Sequence, residues 1–314
     1  MITSEVDRRI RALRPPKAGS DPHTAHGSLL EKERRPGGVI EQTLTVFLTG
    51  AECPFTCSFC DLWQWTIDGP TVPGALTSQL RTVLETHSPH QLDRVKLYNA
   101  SNFFDSRAVP AEDVAGIAEL TAPFAAVTVE SHASTVSSRT VEFARRIPGR
   151  LELAVGLETI NPAAAAQLNK RLDLARFDSA AQFLTDNAIE IRVFVLLGAP
   201  SIPVEESLEW TVRTVAYAIQ RGASIVSIIP VRGGNGEMER LQSLGDFVPP
   251  TLSQLEDALD ACAPMAPAVV TADMWDVERL PAPACCRQDR IARMSRINLT
   301  GRAEPRIDCG MCRA

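Results

Sequence analysis

Thr43-Leu-Thr-Val-Phe-Leu-Thr49 runs directly into Gly50-Ala-Glu-Cys53-Pro-Phe-Thr-Cys57-Ser-Phe-Cys60-Asp-Leu-Trp63. The first seven residues have the apolar, β-branched pattern of a buried strand. The loop that follows spaces three cysteines as C-x3-C-x2-C. Three thiolates on one short loop can hold three corners of a four-iron, four-sulfur cubane, which normally takes four cysteines. One iron then stays open to bind something else. Zinc fits this spacing poorly, because a structural zinc site closes with four ligands and favours C-x2-C halves. Pro54 stiffens the loop at its fixed φ.

Outward from this loop the chain alternates. Strand-like runs recur at 94–99 (RVKLYN), 125–131 (AVTVES), 151–157 (LELAVGL), 189–197 (IEIRVFVLL) and 224–230 (SIVSIIP). Most are short and largely apolar, as strands buried on both faces are. Helix-like stretches at 76–88, 110–121, 136–146, 162–170, 176–187 and 204–221 separate them, several with start signals such as Asn161-Pro162. Alternating strands and helices imply a parallel sheet. The expected fold class is α/β, a partial (β/α)6 TIM-like barrel. In such barrels the chemistry sits at the C-terminal ends of the strands, where the cysteine loop falls. Residues 1–42 read as an irregular leader with one short helix, 43–240 as the core barrel and 241–314 as a Cys- and Arg-rich C-terminal extension. The rhythm breaks after residue 231, at the flexible Gly233-Gly234-Asn235-Gly236. A helix near 251–262 and a strand-like piece at 268–272 follow.

Composition narrows the setting. The chain has 314 residues and a normal 45% apolar content. No run approaches the length that a membrane span needs, and the first residues lack the apolar core of a secretory signal. The reading is a soluble cytoplasmic protein with no membrane partner. Eight cysteines there favour metal or redox chemistry over disulfides. A net charge of −6 argues against a broad nucleic-acid-binding surface.

With Phe59 just before its third cysteine, the loop resembles that of the radical S-adenosyl-L-methionine (SAM) superfamily. The resemblance covers residues 43–240. It implies that Cys53, Cys57 and Cys60 hold a 4Fe-4S cluster and that the amino and carboxylate groups of SAM chelate the open iron. Phe59 would shield the cluster and help to hold the adenine. Radical SAM proteins often carry Gly-Gly-Glu after the second strand; here Asn99 and Ser101 stand in its place by position. Glu130, ending the third strand, is the strongest candidate for SAM outside the cysteines. A carboxylate ending an apolar strand must face a cleft or find a partner. His132 beside it reads as a surface residue, with a proton donor as the alternative.

Gly156-Leu-Glu158-Thr159, followed by Gln167-Leu-Asn169-Lys170-Arg171, is similar to a stretch of the elongator, methylthiotransferase, coproporphyrinogen-oxidase and archaeosine-synthase subgroups. That similarity implies Glu158 on the ribose hydroxyls and Lys170 or Arg171 on the SAM carboxylate. In Arg192-Val-Phe-Val-Leu-Leu-Gly198-Ala-Pro200, Gly198 would let backbone approach the ligand and Arg192 would point into the barrel towards a carboxylate. Arg232 is a further substrate-site candidate.

The tail carries Cys285-Cys286 and Cys309-Gly-Met-Cys312. Four thiolates can close a zinc site or hold an auxiliary iron–sulfur cluster, and a redox dithiol is a third option. The adjacent first pair is not ideal for either metal; the other cluster tips the reading towards iron–sulfur. Cys262 reads as a buried thiol. Arg287, Arg290 and Arg293 recur every third residue and read as a solvated helix face, with phosphate binding as the alternative.

The resemblance implies an enzyme in which an electron donor such as flavodoxin or ferredoxin reduces the cluster, SAM is cleaved, and the resulting radical takes hydrogen from RNA or a small molecule. A sulfur-inserting or peptide-modifying radical enzyme, and a non-catalytic metal protein on the same barrel, remain open alternatives.

Overall fold

The computed structural model describes residues 4–17 and 19–312, the side chain of Cys312 excepted. Eight strands form one sheet in chain order: β1 (Gly27–Arg34), β2 (Ile40–Phe47), β3 (Arg94–Tyr98), β4 (Ala126–Glu130), β5 (Arg150–Glu158), β6 (Glu190–Leu197), β7 (Ile225–Pro230) and β8 (Val269–Ala272). β1 runs antiparallel to β2, and every other neighbouring pair is parallel. The helices between the parallel strands are α2 (Ala75–Glu85), α3 (Ala111–Leu120), α4 (Ser138–Arg146), α5 (Pro162–Gln167), α6 (Leu174–Asp186), α7 (Ser207–Gln220), α8 (Glu237–Ser243) and α9 (Leu252–Cys262). α1 (Glu5–Leu13) precedes the sheet and α10 (Arg287–Thr300) follows it. The expected partial barrel is present, with β1 and β8 added to its ends. β1 lies within the leader that the sequence reading treats as irregular.

The sheet curls until its ends approach. The ring of Phe47, closing β2, lies 5.3 Å from that of Trp275, just past β8. α10 spans the remaining gap. Asn298 pairs with both backbone groups of Ala272 on β8, at 2.9 and 2.8 Å, and Arg34 of β1 donates to the Asn298 carbonyl at 3.3 Å. A helix laid across two open sheet edges satisfies and hides them.

Each strand presents alternate residues to opposite faces. Val95, Leu97, Val127, Val129, Leu153, Val155, Ile191 and Val193 form the core between sheet and helices. Fully burying side chains of this size contributes about 1.5–3 kcal/mol each. The inner face differs from the apolar expectation. At the N-terminal end of the bore, Arg35, Arg94, Lys96, Arg150 and Arg192 interlock with Glu31, Glu33, Glu41, Glu152 and Glu190. Arg192 reaches Glu152 at 2.8 Å and Glu33 at 2.7 Å; Arg94 reaches Glu41 at 2.6 Å. Burial opposes the charge of Glu33, yet Arg192 and Lys96 beside it bring its pKa down to about 2. Burial opposes Glu152 as well, and Arg192, Arg35 and Arg94 hold it well below the usual carboxylate range. This ionic floor closes one end of the bore, leaving the C-terminal face as its mouth.

Candidate active site at the barrel mouth

The cysteine loop leaves β2 and is gripped from several elements. Ser58 N–H donates to the Leu168 carbonyl at 2.9 Å, and Asn235 Nδ2 donates to the Ser58 and Cys60 carbonyls at 2.8 and 3.3 Å. Asn169 Nδ2 donates to the Thr56 carbonyl at 2.9 Å. Asp7 of α1 accepts from the Thr56 hydroxyl, from Asn169 at 3.0 Å and from Arg171. Burial works against the Asp7 carboxylate, but these hydrogen bonds and those from Ser4 carry its pKa well below normal.

Asn102 was not singled out by the sequence reading. Its Oδ1 accepts from His132 N–H at 2.7 Å, which turns its Nδ2 towards Cys53 Sγ at 3.3 Å. Hydrogen bonds to ligand sulfurs are a main lever on cluster potential. His132 is also not the surface residue expected. It is buried, stacks on Phe55 of the loop at 4.1 Å, and contacts Ser134 and the Lys170 carbonyl at 2.7 and 3.1 Å. Ser134 N–H donates to its Nδ1, so Nε2 carries the proton given to Lys170. Burial lowers its pKa to about 4, so the ring is a neutral spacer between two loops.

Glu130 Oε1 accepts from the N–H groups of Asn99 and Ala100, each at 3.1 Å. Ala100 takes a left-handed φ of 53° there. Burial pushes the Glu130 pKa up to about 7, against those two hydrogen bonds. The turn it holds buries Asn99 and the Ser101 hydroxyl at the mouth. Both polar atoms of the Asn99 side chain and the Ser101 hydroxyl lack a hydrogen-bond partner among the described residues. Buried groups of this kind are rare in folded proteins and call for a ligand or water.

β5 carries a bulge between Gly156 and Glu158, and Glu158 has a φ of 70°. The bulge turns its carboxylate onto Lys170, with which it forms a buried ion pair. A Cβ at Gly156 would collide with both partners. Burial disfavours the charge of Lys170; Glu158, then Cys57, restore it. Ala100, Glu158, Asn169 and Arg171 are thus four non-glycine residues with positive φ around one mouth. Such strain, of order 1–3 kcal/mol per residue, gathers at functional sites.

The three thiols also fit a cluster electrostatically. Burial pushes Cys57 up to about 12, and burial followed by the neighbouring Cys57 pushes Cys60 well above its normal value. Burial resists ionisation of all three thiols, and the charge of a bound metal would stabilise the thiolates. Phe59 packs beside Leu168, Leu196 and Val231 at the edge of the loop.

Three expected ligand residues lie elsewhere. Arg192 belongs to the ionic floor, because its position in β6 is near the N-terminal end. Arg171, at a left-handed φ of 59°, turns to Asp7 while Lys170 takes the mouth. Gly198 has a φ of 75°, and a Cβ there would meet the Pro250 ring at 2.9 Å; packing and backbone conformation account for it. Arg232 bonds Asp273 at 3.2 Å on the rim. Phe47, Tyr98 and Phe194 line the wall above the floor, with Trp275 54% exposed beside them.

The sequence matches no protein-family model and no curated protein. Its fold matches solved structures. A radical SAM methyltransferase from Sphaerobacter thermophilus aligns with a TM-score of 0.51 and 16% identity, over 87% of this chain and 82% of that one. A spore photoproduct lyase solved with dinucleoside spore photoproduct aligns at 0.52 and 11%, over 72% and 75%. Elp3 of the archaeon Methanocaldococcus infernus aligns at 0.50 and 12%, over 65% of this chain and 52% of that one. This chain therefore spans about half the length of that Elp3. The likeness to these structures is one of fold.

Proposed function

We propose that the chain is a radical SAM enzyme. The observation that carries this reading is the convergence, at one mouth, of the Cys53, Cys57 and Cys60 loop with the Asn99 and Ser101 side chains, unpartnered among the described residues, and the Glu158–Lys170 pair. Cys53, Cys57 and Cys60 would hold a 4Fe-4S cluster, and Asn102 would hydrogen-bond the sulfur of Cys53. Such a cluster, once reduced, supplies reductive cleavage of SAM to a 5′-deoxyadenosyl radical that removes hydrogen from a substrate. The protein's part is binding, orientation and exclusion of side reactions. Lys170 would offer a cation for the SAM carboxylate, and Glu158, which steadies Lys170, would take the ribose hydroxyls. Asn99 and Ser101 supply hydrogen bonds for the amino end, on a turn held by Glu130.

The finer reading is a substrate with a stackable ring, as in RNA modification. The support is the aromatic wall of Phe47, Tyr98 and Trp275 at the mouth, since aromatic faces accept unstacked bases. A similar fold also receives a dinucleoside in the spore photoproduct lyase. The decisive experiment is anaerobic reconstitution, with iron counted and 5′-deoxyadenosine measured after strong reduction. Replacing Cys53, Cys57 and Cys60 by Ala should remove about four irons per chain. Unchanged iron content, or no SAM consumption by the iron-loaded wild type, would sink the proposal and favour a non-catalytic role.

A further inference from the structure

The tail brings together three thiols that the site above does not use. The ligand atoms of Cys285, Cys286 and Cys309 all lie within 4.8 Å of one another, and Cys285 Sγ is 3.5 Å from Cys309 Sγ. Among the described residues, no other three His, Cys, Asp or Glu side chains meet so closely. The approach is built from both sides. Arg287 donates to the carbonyls of Glu278, Leu280 and Ala282 at 2.5, 2.7 and 2.9 Å, fixing the segment that leads into Cys285. Arg293 donates to the carbonyls of Glu304 and Pro305 at 2.5 and 2.9 Å, fixing the segment that leads to Cys309. Arg306 adds a bond to Asp260 at 3.1 Å.

The sequence face expected to be solvated is therefore an internal clamp. Arg290 and Arg293 are buried; Arg290 bonds Glu256, and Arg293 reaches Glu256 at 3.0 Å and Asp260 at 2.8 Å. Cys286 is the N-cap residue of α10, and Arg290 Nε lies 3.4 Å from its sulfur. Cys312 follows Cys309 at the C-x2-C spacing of zinc knuckles; its side chain lies outside the described residues.

We propose that Cys285, Cys286, Cys309 and Cys312 bind one tetrahedral zinc ion, which locks α10 across the gap between β1 and β8. The spacing separates this from an auxiliary cluster. Thiolates 2.3 Å from one tetrahedral ion stand about 3.8 Å apart, close to the Cys285–Cys309 distance, whereas the corners of a cubane spread its ligands wider. Binding releases the four thiol protons and leaves a centre of charge −2, which Arg290 and the start of α10 offset. The function is mechanical and does not depend on the chemistry at the mouth.

The test uses full-length protein with Cys53, Cys57 and Cys60 replaced by Ala, purified anaerobically under reduction. About one zinc per chain is expected, lost on further replacement of Cys285 and Cys309 by Ser. In the chain with intact tail cysteines, Co(II) in place of zinc should give the absorption of a tetrahedral thiolate site, a readout that needs no tail variant to fold. Stripping the zinc should speed amide exchange in α10 and at the Ala272 edge. Iron instead of zinc on the tail would replace the proposal with an auxiliary cluster. Neither metal, or a Cys285–Cys309 disulfide in the reduced preparation, would overturn it. Because the loop cysteines are absent throughout, failure here is separate from failure of the radical SAM reading.

Discussion

The two ends of the bore are built from similar material and behave in opposite ways. At the floor, buried Arg35, Arg94, Lys96 and Arg192 all meet buried carboxylates. At the mouth, the polar atoms of the Asn99 side chain and the Ser101 hydroxyl are buried with no partner among the described residues, and three thiols are held in a setting that resists ionisation. A buried polar group that is satisfied by its own chain serves the fold. One that is left unsatisfied costs about 1–3 kcal/mol, and two residues with such groups at one mouth, Asn99 and Ser101, offer hydrogen bonds to a ligand. Neighbours in sequence also part ways: Lys170 pairs with Glu158 at the mouth and Arg171 with Asp7 of α1.

The contrast can be broken by substitution. The largest effect belongs to the floor. Glu152→Ala removes the carboxylate shared by Arg35 and Arg192 and leaves buried cations uncompensated, which should cost about 3–5 kcal/mol. Urea unfolding checks this; a loss under 1 kcal/mol, by the same principle, would mean that water reaches the floor. At the mouth, Glu158→Gln should weaken SAM binding roughly tenfold, the scale of one charge-assisted hydrogen bond, while iron content stays at the wild-type level. Calorimetric titration of the reconstituted protein decides, and unchanged affinity would place SAM elsewhere. The smallest effect sharpens the comparison most. Asn99→Ala removes buried side-chain atoms that bond nothing among the described residues, so its change in folding stability should stay within about 1 kcal/mol. If unfolding shows a loss as large as that of Glu152→Ala, Asn99 is structural and the distinction between the two ends fails.

Much of this was legible in the sequence because the outward faces of the strands are plainly apolar. Val95, Leu97, Val127, Val129, Ile191 and Val193 fixed where strands lie to within a residue or two. The inward faces were harder. Arg94, Lys96, Glu152, Glu190 and Arg192 sit at alternate strand positions, a period-2 charge signal visible in hindsight. Their partners Glu31, Glu33 and Arg35 come from a segment whose outer face is exposed and polar, so β1 lacked the apolar pattern of the other strands. The cysteine loop declared itself by spacing alone. Asn102, Asn235 and Asp7 did not, because each meets the loop only after distant segments have packed. His132 was misread for the same reason: the Phe55 and Lys170 that surround it are far away in sequence.

The position of α10 has a consequence for how the molecule is made. All eight strands precede it in the chain, so a ribosome delivers the complete curled sheet before the helix that covers its two edges. Synthesis proceeds at about 5–20 residues per second, which leaves the nascent barrel open along β1 and β8 for an interval of seconds. During that time, unpaired strand edges can recruit a neighbouring chain. Crowded expression, or a slow stretch of translation just after Ala272, should therefore favour strand-to-strand association over closure.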